Sequence, residues 1–416
     1  MLPNESLVNF FFPNEVHIHW SLMIVIYPYI TGLVAGAFVV SSLYHVFRIR
    51  EFENIARFAL VAAFCFGLFA GVPLLFHLGQ PLRAFNIFFT PHTTSAMSVF
   101  GYVYSSYMIL LMVELWLVYR EYFIQRAGET RGMTGMIWKI LTLGVREYTP
   151  EAARVDHRVT TFLAAIGIPW ACFLHGYVGF IFGSVKANAW WATPLQPIIF
   201  LMSAIVSGIA MLMLMYAFIR WRSRQSYDFP MIQKLMVFLW GVFIIDFFLE
   251  GLEIVYAAYE HGHHWSVIGP LLSGPLYDTF VIGQVLALSV VPFLILAYIT
   301  LFKPWGKGLL YLANLASFLL VLQVLFMRFN VVIGGQLISK SDRGFSEFHF
   351  EFLAREGVVP AVILLSAPFL VFYLISRVIP VIRDEPGTDS APPPAVVTDG
   401  DSGEDRQDND VLEERP

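Results

Sequence analysis

Three acids recur four and three residues apart inside one apolar stretch, Asp246, Glu250 and Glu253 in "IIDFFLEGLEIV". On a helix those spacings put all three side chains on one stripe. A carboxyl group in an apolar helix is costly to keep, and proton exchange is the chemistry that such a stripe suits best. Other polar residues punctuate similar stretches: His175 in "FLHGYVG", Arg328 in "LFMRFN", Asp278 with Gln284, Tyr27, and Glu114. Arg328 is the cation expected to pair with Glu253, leaving Asp246 or Glu250 to exchange protons; a pair with Glu356 is the other reading. Glu114 stands apart from the rest, and it either serves proton transfer or reaches out to an interface. A further cluster, "HLGQPLRAF" at 77–85, sets His77 and Arg83 around a Gly and a Pro where an apolar run ends.

Segments long and apolar enough to cross a membrane must position these groups. The chain has 416 residues, 57% hydrophobic and 14% charged, and several runs pass the ~20 residues that span hydrocarbon. The pattern predicts an all-α, polytopic membrane bundle of about nine helices, near 18–47, 55–77, 97–121, 158–184, 195–220, 231–258, 276–302, 307–330 and 356–382. Gly32 and Gly36, Gly67 and Gly71, and Gly179 and Gly183 are small residues four apart, which let helix backbones approach. They suggest a close first bundle of four helices (18–184), a second bundle of four (195–330) and a final helix (356–382). Pro28 and Pro169 are expected to kink the first and fourth helices.

Charge orients the spans. Of the 26 Lys and Arg residues, 20 fall on the side that holds the loops after the first, third, fifth and seventh helices together with the tail, and 6 fall on the other. The positive-inside rule then places the N-terminus outside and the C-terminus in the cytoplasm of a cell inner membrane. No basic stretch with a small-residue cleavage site precedes the first span, so no removable signal peptide is expected. Residues 1–383 form the transmembrane domain in this reading. Residues 384–416 carry 11 acids and hardly any large hydrophobes, a composition that predicts a disordered cytoplasmic tail. Around "MTGMIWKILTL" a short interfacial helix is expected. With this orientation His175 and Tyr27 lie at similar depth, and most of the buried polarity gathers in the outer half.

Several chemistries find little support. Cys65 and Cys172 are too few for an iron–sulfur cluster and read as small hydrophobes. A bis-histidine haem needs two facing intrahelical histidines, and only His175 is well buried. His261, His263 and His264 in "EHGHHW" suit a solvated loop better than a metal site. No metal site, catalytic nucleophile, phosphate loop or nucleic-acid signature emerges.

Four motifs in order, "YITGLVAGAF", "HLGQPLRAF", "HGYVGFIFGSVKANAWWATPLQP" and "MRFNVVIGGQ", resemble the NrfD/PsrC family of polysulfide reductase-type membrane subunits, its longer branch in particular. The resemblance implies a quinone-binding subunit without haem or cluster, using menaquinone or ubiquinone near the outer face. It implies a periplasmic ferredoxin-like iron–sulfur partner that connects to a molybdopterin oxidoreductase, a hydrogenase or a multihaem cytochrome. Tyr27, His77, Arg83 and His175 are then the expected quinone-binding residues, and Glu114, Asp246, Glu250, Glu253 and Asp278 the proton-transfer residues. The residue before Leu-Gly is often acidic in the family and is His77 here; Gln80 replaces a usual basic residue. Arg83 suits an anionic quinone species, a partner carboxylate, a lipid phosphate or simple interfacial anchoring. Two other readings stay open: a proton- or ion-translocating module, and a passive membrane anchor for a periplasmic redox enzyme.

Overall fold

A computed structural model of the chain describes residue 18 and residues 20–339 and 344–382. The expected tail at 384–416 lies outside these residues, as do Lys340, Arg343 and Arg383. Among the described residues nine helices are long and apolar enough to cross a membrane: α1 Leu22–His45, α2 Ile55–His77, α3 Ala96–Glu129, α4 Pro150–Gly183, α5 Gln196–Ser223, α6 Phe229–Glu260, α7 Tyr277–Phe302, α8 Lys307–Leu337 and α9 Val358–Val378. The protein is an all-α polytopic membrane bundle. Local chemistry sets several starts. Ser21, Ser95, Thr149 and Asp228 each accept a backbone N–H of the first turn, which satisfies an otherwise orphaned donor. Pro28 and Pro169 are accommodated inside continuous helices.

Helices α3 and α4 are longer than expected, at 34 residues each. At 1.5 Å per residue that is about 51 Å, well beyond ~30 Å of hydrocarbon. Both project at the face rich in basic residues. There Arg120 meets Asp156 at 2.7 Å, so charges that mark a helix end by composition instead lace two helices together. The helix at "MTGMIWKILTL" runs Gly132–Leu141, and Trp116 Nε1 donates to Leu141 O at 2.7 Å. On the same face Lys234 is hydrogen-bonded to Glu51, and that bond holds the Glu51 carboxyl below its ordinary value.

The glycine stripes find partners that spacing does not reveal. A Cβ on Gly36 would fall 2.8 Å from the Cα of Gly208 on α5, and one on Gly179 would fall 2.7 Å from Pro197 Cα at the start of α5. Gly36 and Gly179 thus bring α1 and α4 against α5, while α1–α4 also pack on one another. Within the first group, Gly67 and Gly71 face Met108 and Tyr104 of α3. α1 and α5 become the central pair: α2 and α4 border α1, α6 and α8 border α5, and α9 packs on α2.

Two spans depart from α geometry. The first half of α7, Tyr277–Val290, is π-helical, and Ser289 Oγ donates to Gln284 O at 2.7 Å. In α8 a π turn covers Asn330–Gly334. Bulges leave backbone carbonyls short of partners, which neighbours must supply. Trp191 Nε1 donates to Val331 O at 2.6 Å and Asn188 Nδ2 to Gly335 O at 2.8 Å, so the α4–α5 connection caps the bulge.

Candidate functional site

Polar groups meet at three levels along the central helices. The first is at the basic-poor face, where α2 ends in His77. Its Nδ1 lies 2.5 Å from Glu356 Oε2 and 3.4 Å from Ser21 Oγ. Arg355 donates to the carbonyls of Leu75 and Leu78 at 3.2 and 3.1 Å, which fixes the 350–357 segment over the end of α2. A cavity of about 330 Å³ opens beside this pair, lined by Trp20, Ser21, His349, Phe350, Arg355 and Glu356 among others. An apolar cavity of about 290 Å³ adjoins it between α1, α8 and α9. Leu22 and Phe350 line both, so a polar mouth leads to a greasy slot.

The second level is the interior of α1. Tyr27 is buried at 2% exposure, edge-on to Phe100 with ring centroids 5.4 Å apart, and its hydroxyl has no partner. Deeper still, His175 lies against Gly32 and is fully buried. Arg328 Nη2 approaches its Nε2 at 3.2 Å. A guanidinium only donates, so this ring nitrogen accepts and any proton sits on Nδ1, which has no partner. The same Arg328 donates to Ser203 Oγ at 2.7 Å and Phe200 O at 3.1 Å. It also stacks over the Phe200 ring at 3.8 Å.

The expected residues therefore divide. His77 neighbours Ser21, whereas His175 neighbours Gly32, a separation of about 16 Å along the helix. They do not share one depth. Arg83 lies exposed on the short helix Pro81–Phe85. Arg328 does not pair with Glu253, nor with Glu356. Among the described residues no carboxylate lies within 4.0 Å of it; its Nη2 is taken up by α4 and α5 and its Nη1 faces Met327 Sδ.

The third level is the acid stripe. Asp246 is fully buried, with both oxygens unpartnered. Glu250 accepts from Gln284 Nε2 at 3.0 Å and from Gln323 Nε2 at 3.4 Å. Gln284 Oε1 in turn accepts from Asn330 Nδ2 at 2.8 Å. Glu253 interacts with Thr193 of the α4–α5 connection. Arg328 acts on Asp246 and Glu250 through space. Asp278 is exposed at the start of α7 and stands outside this network. Glu114, on α3, is fully buried with neither oxygen partnered, so it does not reach out to the interface.

Sequence reasoning missed Glu356, Ser21 and Ser203 as members of these sites. Glu356 stood out as an acid at the start of the last span, but nothing in the sequence joins it to His77, 279 residues away. Among the described residues no group of three or more His, Cys, Asp or Glu side chains could hold a metal ion.

A nine-span bundle with buried acids, a central arginine and a lipid-side cleft defines a class of membrane protein with polar chemistry inside its helices. Residues 12–340 match the model of the family described as polysulphide reductase, NrfD. The chain belongs to that family of integral membrane subunits of oxidoreductase complexes. It is 33% identical over 321 residues to a selenate reductase subunit of Mesobacillus selenatarsenatis, covering 76% of this chain and 73% of that protein. It is 24% identical over 327 residues to protein NrfD of Escherichia coli, covering 76% and 95% of the two chains. Its likeness to the Hdr-like menaquinol oxidoreductase integral membrane subunit of Archaeoglobus fulgidus is 25% over 251 residues, covering 58% of this chain and 53% of that one.

Proposed function

We propose that this chain is the quinone-reactive membrane subunit of a respiratory oxidoreductase, exchanging electrons between the membrane quinone pool and an iron–sulfur partner on the outer, basic-poor face. The observation that carries this reading is the polar mouth at His77–Glu356 joined to the apolar slot between α1, α8 and α9. The residues fit a quinone: Ser21, His77 and Arg355 offer donors at the mouth, and Leu22, Phe329 and Leu365 line a slot suited to an isoprenoid tail. Bound there, a quinone supplies two-electron, two-proton chemistry. The chain's own part is to bind, orient and move protons. His77 and Glu356 share one short contact, so a proton passes between Nδ1 and Oε2 without rearrangement. Glu356, contributed by the segment that leads into α9, supplies the carboxylate that the family's turn often carries where this chain has His77.

Partner docking has a matching surface. Leu82, Phe85 and Phe89 on the loop after α2, and Phe352 and Leu353 before α9, are all exposed. The second loop is tied to the end of α2 by Arg355, so these apolar side chains flank the mouth. Exposed patches of this kind mark interaction sites. Asp246, Glu250, Glu253 and Glu114 serve proton transfer in this reading. Arg328 is placed to link His175 in the first group to the acids of the second.

The test is quinone turnover and bound quinone in the assembled complex. Glu356→Gln should lower turnover at least tenfold with subunit assembly intact, and Leu22→Trp, which fills the slot, should lower retained quinone. Normal turnover in Glu356→Gln with normal quinone retention in Leu22→Trp refutes the site.

A further inference from the structure

At the basic-rich end of α5 the sequence "FIRWRSRQSY" closes on itself. Arg224 adopts a left-handed backbone conformation, φ 53°. That reversal lets Arg224 N bond to Trp221 O at 3.2 Å and Gln225 N to Arg220 O at 3.0 Å. Arg220 Nη1 then donates to Gln225 Oε1 at 3.1 Å, and its guanidinium lies 5.5 Å from the centre of the Tyr216 ring. Arg220 is nearly buried, at 8% exposure, and locks the turn from beneath.

The result is a cavity of about 560 Å³ lined by Arg220, Trp221, Arg222, Arg224, Gln225 and Tyr227. Among the described residues no carboxylate lines it. The nearest acid in sequence, Asp228, turns away to accept from Met231 N at the start of α6. Among the described residues no carboxylate lies within 4.0 Å of Arg222 or Arg224. Arg222 also acts electrostatically on Tyr373 of α9, whose hydroxyl accepts from Arg377 at 2.5 Å. On the lipid side Phe218 and Trp221, 56% and 67% exposed, stand with ring centroids 6.0 Å apart.

We propose that this cavity is a binding site for the phosphate head group of an anionic phospholipid, held by Arg222 and Arg224, with its acyl chains along Phe218 and Trp221. Guanidinium forks match phosphate oxygens in pairs. The location at the end of a span, with a paired aromatic wall on the hydrocarbon side, favours a lipid over a soluble phosphate. Arg220 positions the turn and does not itself need to reach the ligand.

The experiment compares the wild-type chain in its purified complex with Arg222→Gln/Arg224→Gln, both exposed positions. Arg131→Gln/Arg154→Gln, on the same face but outside the cavity, is the charge-matched control. Phospholipid retained after mild detergent extraction is counted by native mass spectrometry. Delipidated protein is then titrated with phosphatidylglycerol nanodiscs, phosphatidylcholine nanodiscs and inorganic phosphate. One retained anionic phospholipid is expected in the wild type and the control. Each arginine lost should weaken phosphatidylglycerol binding about fivefold, and the pair about 25-fold. Equal retention by wild type and the Arg222/Arg224 variant overturns the proposal. So does a phosphatidylcholine affinity equal to that for phosphatidylglycerol, or inorganic phosphate binding as tightly as the lipid. A co-purified acidic protein bound through these arginines, with no lipid present, also overturns it.

Discussion

Replacing Arg328 with Gln tests whether the acid stripe depends on a charge held 4.0 Å or more away. Arg328 is fully buried and, among the described residues, bonded to His175, Ser203, Phe200 O and Met327 Sδ. Removing one member of a buried charge network costs about 3–5 kcal/mol. Two sources contribute. Its field on an ionised Asp246, which lies beyond 4.0 Å, is worth at most about 4 kcal/mol at an effective dielectric near 20. Its stacking over Phe200 is worth about 2 kcal/mol in a desolvated setting. A double-mutant cycle of Arg328→Gln and Asp246→Asn separates them, read as reversible unfolding in mixed micelles. If the field on Asp246 dominates, removing both charges restores most of the stability, with a coupling of about 2 kcal/mol or more. If packing and hydrogen bonds dominate, the two losses add to within about 0.5 kcal/mol. Additive behaviour would refute the electrostatic link between Arg328 and the stripe. Arg328→Lys adds a check: it keeps the charge, loses the planar stack, and should fall between wild type and Arg328→Gln.

Two further outcomes follow from the packing. Gly208→Leu should prevent assembly of α1 against α5, because even a Cβ there would sit 2.5 Å from Gly36 Cα; loss of the folded protein from membranes is the readout, and normal accumulation would contradict the close approach. Trp191→Phe removes the donor to Val331 O while keeping the ring, and should cost about 1–2 kcal/mol in the same unfolding assay; a cost shared equally by Trp190→Phe would show that the capping bond contributes nothing specific.

The spans were legible because length and hydropathy alone decide them, and all nine appear where expected apart from the ends. The ends of α3 and α4 were misread because Arg120, Asp156 and their neighbours look like loop charges until they are paired across two helices. The acid stripe was legible because i, i+3 and i, i+4 spacing is a property of one helix. What a residue faces is a property of several. Depth along a helix placed Arg328 near Glu253, but rotation about the axis turns it to α4 and α5. The glycine pairs announced close approach without naming α5 as the partner. The join of His77 to Glu356 depends on α9 returning beside α2, and no local pattern encodes that return.

The burial of α1 has a consequence for how the protein is made. Within its most apolar window 94% of α1 is buried, against 78% for α5 and at most 61% for the others. Of the nine spans α1 comes first and α2, which packs on it, follows directly, but its central partner α5 emerges about 150 residues later, some 8–30 s at ordinary translation rates. Until then the helix has lipid where protein will be. Its sequence suits that wait: no charged residue occurs from Leu22 to Tyr44. Thr31 Oγ1 and Ser42 Oγ donate to the carbonyls of Tyr27 and Phe38 in their own helix, at 2.8 and 2.9 Å. Those hydroxyls are satisfied before any neighbour arrives. The most enclosed element of the mature fold is thus also one that can survive alone in the bilayer, so insertion and assembly can proceed as separate steps.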